Sequence, residues 1–593
     1  MSARPRELPE PRVPPRLAWA AAGLVVTALA GIVYWGALRN GFVYDDIPQV
    51  VRNPWIRDPR NLLRAFTMGS WAYEGTTSNY FRPMMHVAYT ATYMVFGLAP
   101  AGFHAVSIAL HAGVSVLVLA TSSIVLASGR RRSGEILALA TVAGLLFASH
   151  PIHSEAVLWI GGVPDLCAAF FCLASFCAYA SPTSTRVLSW RYAFSLAFFL
   201  VATLSKEIAL VFPLVLASYD LAFRREAMGA RRLAGRYLGF GLVGLVYLGL
   251  RFNALGGLAP VRRHGEIAGG AIVLNALPLF AGYLWKLVLP TDLTVFHAFR
   301  PVASWVEPAA LASLAVAFGF ALLGWWLWTR RAAGSFVAWA ALLVPLLPAL
   351  YIPGVGENPF AERYLYLPSV GFVWLLVMAA GSIRVLRVRL AVSACLILLL
   401  AFYAVAAAAR VRVWNSDRTL WLDAVERSPS APIAHYNLGA ALFEEGRFDS
   451  ATTEFEAAVR LEPSPVAWTS LGNAYREAGR PGDAVPAFLA ALSMDPRLEG
   501  AYDGLGLAYV ELGRPDAALE PLKAAVALAP GSPVALHSLA YAYERLGLIE
   551  AAIHGYEEAL RADPSDAAAR QRLTSLLRGH PSDIGHGPEG KGP

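Results

Sequence analysis

A chain of 593 residues that is 56% hydrophobic and only 15% charged cannot be one water-soluble globule, because its polar residues are too few to coat a body of that size. The net charge of +7 comes almost entirely from arginine, a skew that base composition of the genome explains as well as a polyanion would, so nucleic acid is not the expected partner. Four cysteines are too few for a disulfide framework, and Cys167, Cys172 and Cys177 fall at five-residue steps within one apolar run. Long apolar runs recur up to Ala409, whereas charged residues are interspersed from Trp414 onward. An all-α chain in two parts follows: a polytopic membrane helix bundle and then a polar helical module.

Taken in chain order, Arg4, Arg6, Arg12 and Arg16 precede an apolar stretch from Leu17 to Leu38 that is longer than a signal-peptide core. It is expected to remain as the first anchor, with residues 1–16 as a cytoplasmic tail. Basic clusters then fall at Arg130 to Arg132, at Arg186 and Arg191, at Arg224, Arg225, Arg231, Arg232 and Arg236, at Arg330 and Arg331, and at Arg384, Arg387 and Arg389. All can be cytoplasmic under one threading. It takes about 11 spans near 17–38, 103–127, 135–149, 156–180, 191–205, 207–223, 237–253, 309–328, 335–352, 366–382 and 388–409. The apolar stretches 83–98 and 271–289 then become interfacial or re-entrant helices on the outer side. The membrane domain is 17–412, with a long outer loop at 39–102, and the odd count places the C-terminal module across the membrane from the N-terminus.

The same threading gathers the polar, non-basic constellations on the outer face: Tyr44-Asp45-Asp46, Tyr80-Phe81-Arg82-Pro83, His150-Pro-Ile-His153-Ser-Glu155, Asp165, Lys206-Glu207 and Glu362-Arg363-Tyr364. Ionisable groups at the ends of membrane helices are costly unless they face a cavity or one another, so a single polar cleft is expected there. Adjacent carboxylates at Asp45 and Asp46 suit a general base or an electrostatic brace, against the plainer reading of a solvated acidic loop. Lys206 and Glu207 could equally be a neutral pair easing a helix end, and Arg363 could simply pair with Glu362 or Glu357. His150, His153 and Glu155 have a spacing that could ligate a metal, but Pro151 breaks the register between them, and a hydrogen-bonded cleft wall is the expectation, with no metal. His104 and His111, seven residues apart, share a helix face and are expected to line the bundle.

A connecting helix is expected within 413–431, and from Pro432 a pattern recurs: His435-Tyr-Asn-Leu438-Gly439, Trp468-Thr-Ser-Leu471-Gly472, Tyr502-Asp-Gly-Leu505-Gly506 and Leu536-His-Ser-Leu539-Ala540. The steps from Gly439 to Gly472, Gly506 and Ala540 are 33, 34 and 34 residues, and each unit closes on Pro463, Pro496, Pro530 or Pro564. This matches the tetratricopeptide repeat (TPR), with small residues where paired helices approach and proline where the second helix ends. Four repeats with a capping helix at 566–579 fill 432–579, and residues 580–593 are expected to be disordered. Such an α-solenoid takes protein or peptide in its concave face.

The first helix, acidic pair, long loop and Phe81-Arg82-Pro83 together resemble the GT-C architecture of glycosyltransferases that use lipid-phosphate sugars. With Phe103-His104, His111, His150-Pro-Ile-His153-Ser-Glu155, Lys206-Glu207, Glu362-Arg-Tyr-Leu-Tyr-Leu-Pro368 and the repeats, nearly the whole chain resembles the transmembrane and tetratricopeptide-repeat O-mannosyltransferase family and its bacterial relatives. The resemblance implies transfer of mannose or another hexose from a polyprenyl-phosphate carrier to a hydroxyl, protein Ser or Thr, on the extracytoplasmic side of a bacterial inner membrane. Asp45 or Asp46 would take the hydroxyl proton, and Arg82, Lys206 and Arg363 are the candidates for holding the phosphate. The lipid-linked sugar is then substrate, and no cofactor is implied. A non-catalytic, membrane-anchored TPR scaffold for envelope assembly is the competing reading. Four repeats are fewer than the long array of the animal family, which leaves the acceptor open.

Overall fold

The computed structural model of the protein describes residues 16–579 apart from residues 77, 128–130, 181–188, 225–229, 260–266, 268 and 355–358. The tail before Arg16, the tail at 580–593, and Arg130, Arg186, Arg225 and Glu357 therefore lie outside the described residues. Helices are the only regular secondary structure among the described residues, and the chain divides into two compact units at residues 423 and 424. That boundary falls inside the helix Asp417–Arg427, so the segment expected to connect the two parts is shared between them.

In the first unit, eight helices are long and apolar enough to cross a bilayer: Arg16–Arg39, Pro100–Leu126, Ile160–Ala180, Ala234–Leu255, Gly270–Val288, Pro308–Thr329, Ala333–Leu350 and Leu386–Val413. A further candidate is the pair Ser133–Ser149 and Pro151–Leu158, bent by 49°, while Trp190–Ser205 and Pro368–Gly381 are apolar but shorter. Two assignments of the threading change. The stretch 271–289, expected to lie on the outer surface, is a 19-residue helix of spanning length; Asn275 satisfies its amide on Val302, and Lys286 donates to the carbonyls of Thr291 and Asp292. The stretch 207–223 is not one helix. An extended Lys206 (φ −157°, ψ 138°) leads into a short turn, Glu207–Val211, and then the 12-residue helix Phe212–Phe223, because the charges at 206 and 207 are used in tertiary contacts.

The helix Val163–Ala180 sits at the centre, packed against Pro100–Leu126 and Trp190–Ser205, with most of its residues buried. Before it, the backbone from His150 to Gly162 runs through short turns, Pro151–His153, Ser154–Leu158 and Ile160–Gly162, and every residue there is buried. Irregular backbone at such depth is tolerated only where protein surrounds it. It carries Glu155, Trp159 and Gly161 inward.

In the second unit, four helix pairs run from Pro432 to Ala562 and are followed by the helix Ala567–Gly579. Proline opens Pro432–Glu444, Pro465–Glu477 and Pro533–Arg545, where a missing N–H costs nothing, and Ser464 and Ser532 cap the latter two. Each pair turns on a glycine at φ near +73° to +76°: Gly446, Gly479, Gly513 and Gly547. A side chain at Gly506 would lie 2.3 Å from Leu522, which is why the helices of a pair come so close. In the fourth repeat the small partners change sides, Ala540 meeting Gly555.

Candidate active site

Three cations from distant elements reach one cleft, lined by Asp45, Arg82, Asp165, Lys206, Arg363, Trp71, Trp159, Tyr80 and Tyr364, among others. Arg82 stands just before the helix Pro83–Phe96, Lys206 just after Trp190–Ser205, and Arg363 in the turn Glu362–Leu365. Each is paired. Arg82 binds Glu207 through two nitrogens at 2.7 and 3.2 Å, Lys206 holds both oxygens of Asp165 at 2.6 and 2.7 Å, and Arg363 pairs with Glu155. Each also sits over an aromatic face: Arg82 lies 4.3 Å from Tyr80, Lys206 5.2 Å from Tyr364, and Arg363 5.0 Å from Trp159. Buried charges tolerate low dielectric only when matched in this way. The alternatives of a Lys206–Glu207 pair and an Arg363–Glu362 pair give way to these cross-pairings.

The two adjacent aspartates separate in role. Asp45 is partly exposed on the cleft wall. Asp46 is wholly buried and turned away: its oxygens accept from the backbone N–H of Val43 at 3.1 Å and of Gly161 at 2.9 Å. Burial lifts the Asp46 carboxyl well above the ordinary carboxylate range, against the pull of those two donors. Asp46 is a brace between the loop and the irregular segment, and Asp45 is the carboxylate that a ligand in the cleft could meet. Tyr44, at φ +55°, turns the chain sharply just ahead of them; its N–H donates to Asp417 at 2.7 Å, and Gly41 N–H donates to the Asn415 carbonyl.

His150 and His153 are not a cleft wall. Both are fully buried in an aromatic cluster with Phe147, Tyr366 and Tyr403, His150 against the Leu287 carbonyl and His153 against Ser369. His111 joins them through Tyr366 at 2.8 Å. The turn at Pro151 sends the histidines into the bundle and Glu155 toward Arg363, a divergence that spacing alone does not reveal. Glu362 likewise points away, accepting from Thr294 N–H and paired with His297 at 3.0 Å. Among the described residues no three His, Cys, Asp or Glu groups stand together as a metal cage requires.

Residues not singled out from sequence complete the site. Trp71 and Trp159 add to the aromatic walls already offered by Tyr80 and Tyr364. Arg251, a charged residue inside the spanning helix Ala234–Leu255, donates to the carbonyls of Asn79 at 2.6 Å and Leu258 at 2.8 Å and to the Tyr247 hydroxyl. It was visible as a lone cation within an apolar run, a placement that marks function more often than chance.

Comparison with known proteins bears on both units. Family models for the tetratricopeptide repeat match residues 418–466, 469–533 and 509–577. Protein O-mannosyl-transferase TMTC3 of Mus musculus is 27% identical over 474 residues, covering 73% of this chain and 50% of the relative. Protein O-mannosyl-transferase TMTC4 of Homo sapiens is 26% identical over 487 residues, covering 72% and 65%. This chain is a relative of the TMTC protein O-mannosyl-transferases. It spans about half to two thirds of the length of these TMTC relatives. Among solved structures, TTC0263, a thermophilic TPR protein of Thermus thermophilus, aligns at 27% identity over 31% of this chain and 95% of its own, with a TM-score of 0.25.

Proposed function

We propose that the protein is a membrane glycosyltransferase that moves a hexose, mannose by analogy with its TMTC relatives, from a polyprenyl-phosphate carrier to a Ser or Thr hydroxyl. The observation that carries this reading is a cleft in which a partly exposed carboxylate, Asp45, shares a wall with Arg82, Lys206 and Arg363. The acceptor O–H donates to Asp45, which takes the proton as the hydroxyl oxygen forms its bond to the sugar C1. The bond from C1 to the phosphate oxygen breaks, and its electron pair leaves on the carrier phosphate beside a cation. Trp71, Trp159, Tyr80 and Tyr364 offer flat faces for the sugar ring. By the charge threading the cleft opens on the extracytoplasmic side of a bacterial inner membrane. The TPR unit recruits the protein acceptor or a partner subunit.

The test compares extracytoplasmic proteins from cells carrying the wild-type gene with those carrying Asp45→Asn, by mass spectrometry for hexose on Ser or Thr. Hexose should vanish in the variant. Unchanged glycan with Asp45→Asn would remove the enzyme reading and leave the TPR scaffold.

A further inference from the structure

The three cations of the cleft are matched by three carboxylates, so together they offer an incoming anion no net attraction. One pair has to open before a phosphate gains from its cation. The pairs differ sharply in what opening would cost. Glu155 is 1% exposed, is held in addition by the Arg363 backbone N–H at 2.9 Å, and has the like charge of Glu362 beside it, so separating it from Arg363 strands a buried anion. Lys206 and Asp165 are 4% and 7% exposed and hold each other through both carboxylate oxygens. Arg82 and Glu207, at 16% and 33%, form the most accessible of the three pairs.

That pair has a further property. A second guanidinium, Arg251, stands near this pair. It donates to the carbonyl of Asn79, three residues before Arg82, and to the hydroxyl of Tyr247, whose ring packs 6.0 Å from Phe81, the residue before Arg82. Arg251 is anchored by the carbonyls of Asn79 and Leu258 and by the Tyr247 hydroxyl, so its position does not depend on Glu207. Arg82, for its part, keeps the face of Tyr80 at 4.3 Å whatever Glu207 does.

We infer that Arg82 is the cation that takes the donor phosphate, and that Glu207 withdraws from it toward Arg251 as the phosphate arrives. This rests on the lipid-phosphate donor read above. Arg251 is then a positioning residue: it never meets the ligand, but it receives the displaced carboxylate and so lowers the cost of freeing Arg82. Without it, Glu207 would have to face water or stay on Arg82 and repel the anion.

The experiment measures binding of farnesyl phosphate to the purified full chain in detergent, with circular dichroism and gel filtration confirming the fold of each variant. Arg82→Gln should weaken binding by roughly tenfold or more, as expected for losing a charged hydrogen-bond partner. Glu207→Gln, which frees Arg82 in advance, should strengthen binding roughly three- to tenfold by the same reasoning. Arg251→Gln should weaken it, and the double variant Glu207→Gln with Arg251→Gln should bind at least as tightly as wild type. Arg251→Lys, keeping the charge but losing the three-way anchor of the guanidinium, should bind more tightly than Arg251→Gln and no more tightly than wild type. A double variant as weak as Arg251→Gln alone would make Arg251 merely structural and overturn the exchange, as would wild-type affinity in Arg82→Gln. Should Arg251→Gln fail to fold, Glu207→Gln decides: no gain in affinity overturns the exchange. Absence of binding by the wild-type chain would overturn the donor reading itself, whereas wild-type binding with unresponsive variants would overturn the exchange alone.

Discussion

Charged side chains are handled differently in the two units. In the membrane unit Lys206 reaches Asp165 across 41 residues and both are under a tenth exposed; in the repeat unit Arg476 meets Glu511 on the next repeat, 35 residues on, with Glu511 a third exposed. The first pair lies where water cannot substitute for a missing partner, and the second lies where it can. Small residues diverge in the same way. Gly161 sits under Trp159 on an irregular segment that occurs once, while Gly506 sits under Leu522 at a position that recurs as Gly439 and Gly472. Function in the membrane unit therefore rests on single, mutually dependent contacts, and stability in the repeat unit on the same contact used several times.

The sharpest way to break that contrast is Asp165→Ala, which leaves Lys206 buried and unpaired. A loss of about 3–5 kcal/mol is expected, read as a lowered unfolding midpoint in detergent, whereas Glu511→Ala should cost under about 1 kcal/mol. Equal losses would mean that the two environments are alike. Next in size, Gly506→Val forces a side chain into Leu522 and should cost about 1–3 kcal/mol, measured on the isolated unfolding transition of the repeat unit within the full chain. A stack whose repeats contact only their neighbours should show no accompanying shift in the membrane unit's transition. A pH-dependent effect of similar size concerns the buried carboxylate of the repeats. Burial, opposed by a hydrogen bond from Ser538, pushes Asp503 up to about 6 from its ordinary 3.8. The folded unit therefore binds a proton more readily than the unfolded chain, so this contribution is present below pH 4 and is lost as pH rises through 6. Up to about 3 kcal/mol should disappear over that window, and Asp503→Asn should flatten the dependence; an unchanged pH profile would place Asp503 in a wetter setting than its 8% exposure implies.

Much of the fold was legible in the chain. The repeat register, its helix pairs and the capping helix follow from a 34-residue pattern, since each repeat solves the same local problem with the same residues. The apolar spans were legible too, except where length misled: 271–289 forms a helix of spanning length despite Pro278, and 207–223 breaks because Lys206 and Glu207 are drawn to Asp165 and Arg82. For the site, the charge threading brought Asp45, Arg82, Asp165, Lys206 and Arg363 to one face, and the structure gathers these five into one cleft. It could not separate Asp45 from Asp46, because the Gly161 N–H that claims Asp46 lies 115 residues further along the chain. Nor could it see His150 and His153 turning into an aromatic cluster while Glu155, two residues on, turns toward Arg363.

Hydropathy, charge bias and periodicity are properties of neighbouring residues, so they were enough to establish a membrane bundle, a TPR stack and a shared polar face. Which carboxylate meets which cation was decided only when helices up to 208 residues apart packed together, as Glu155 and Arg363 are. In a low-dielectric interior that pairing dominates the energy, and no local pattern encodes it.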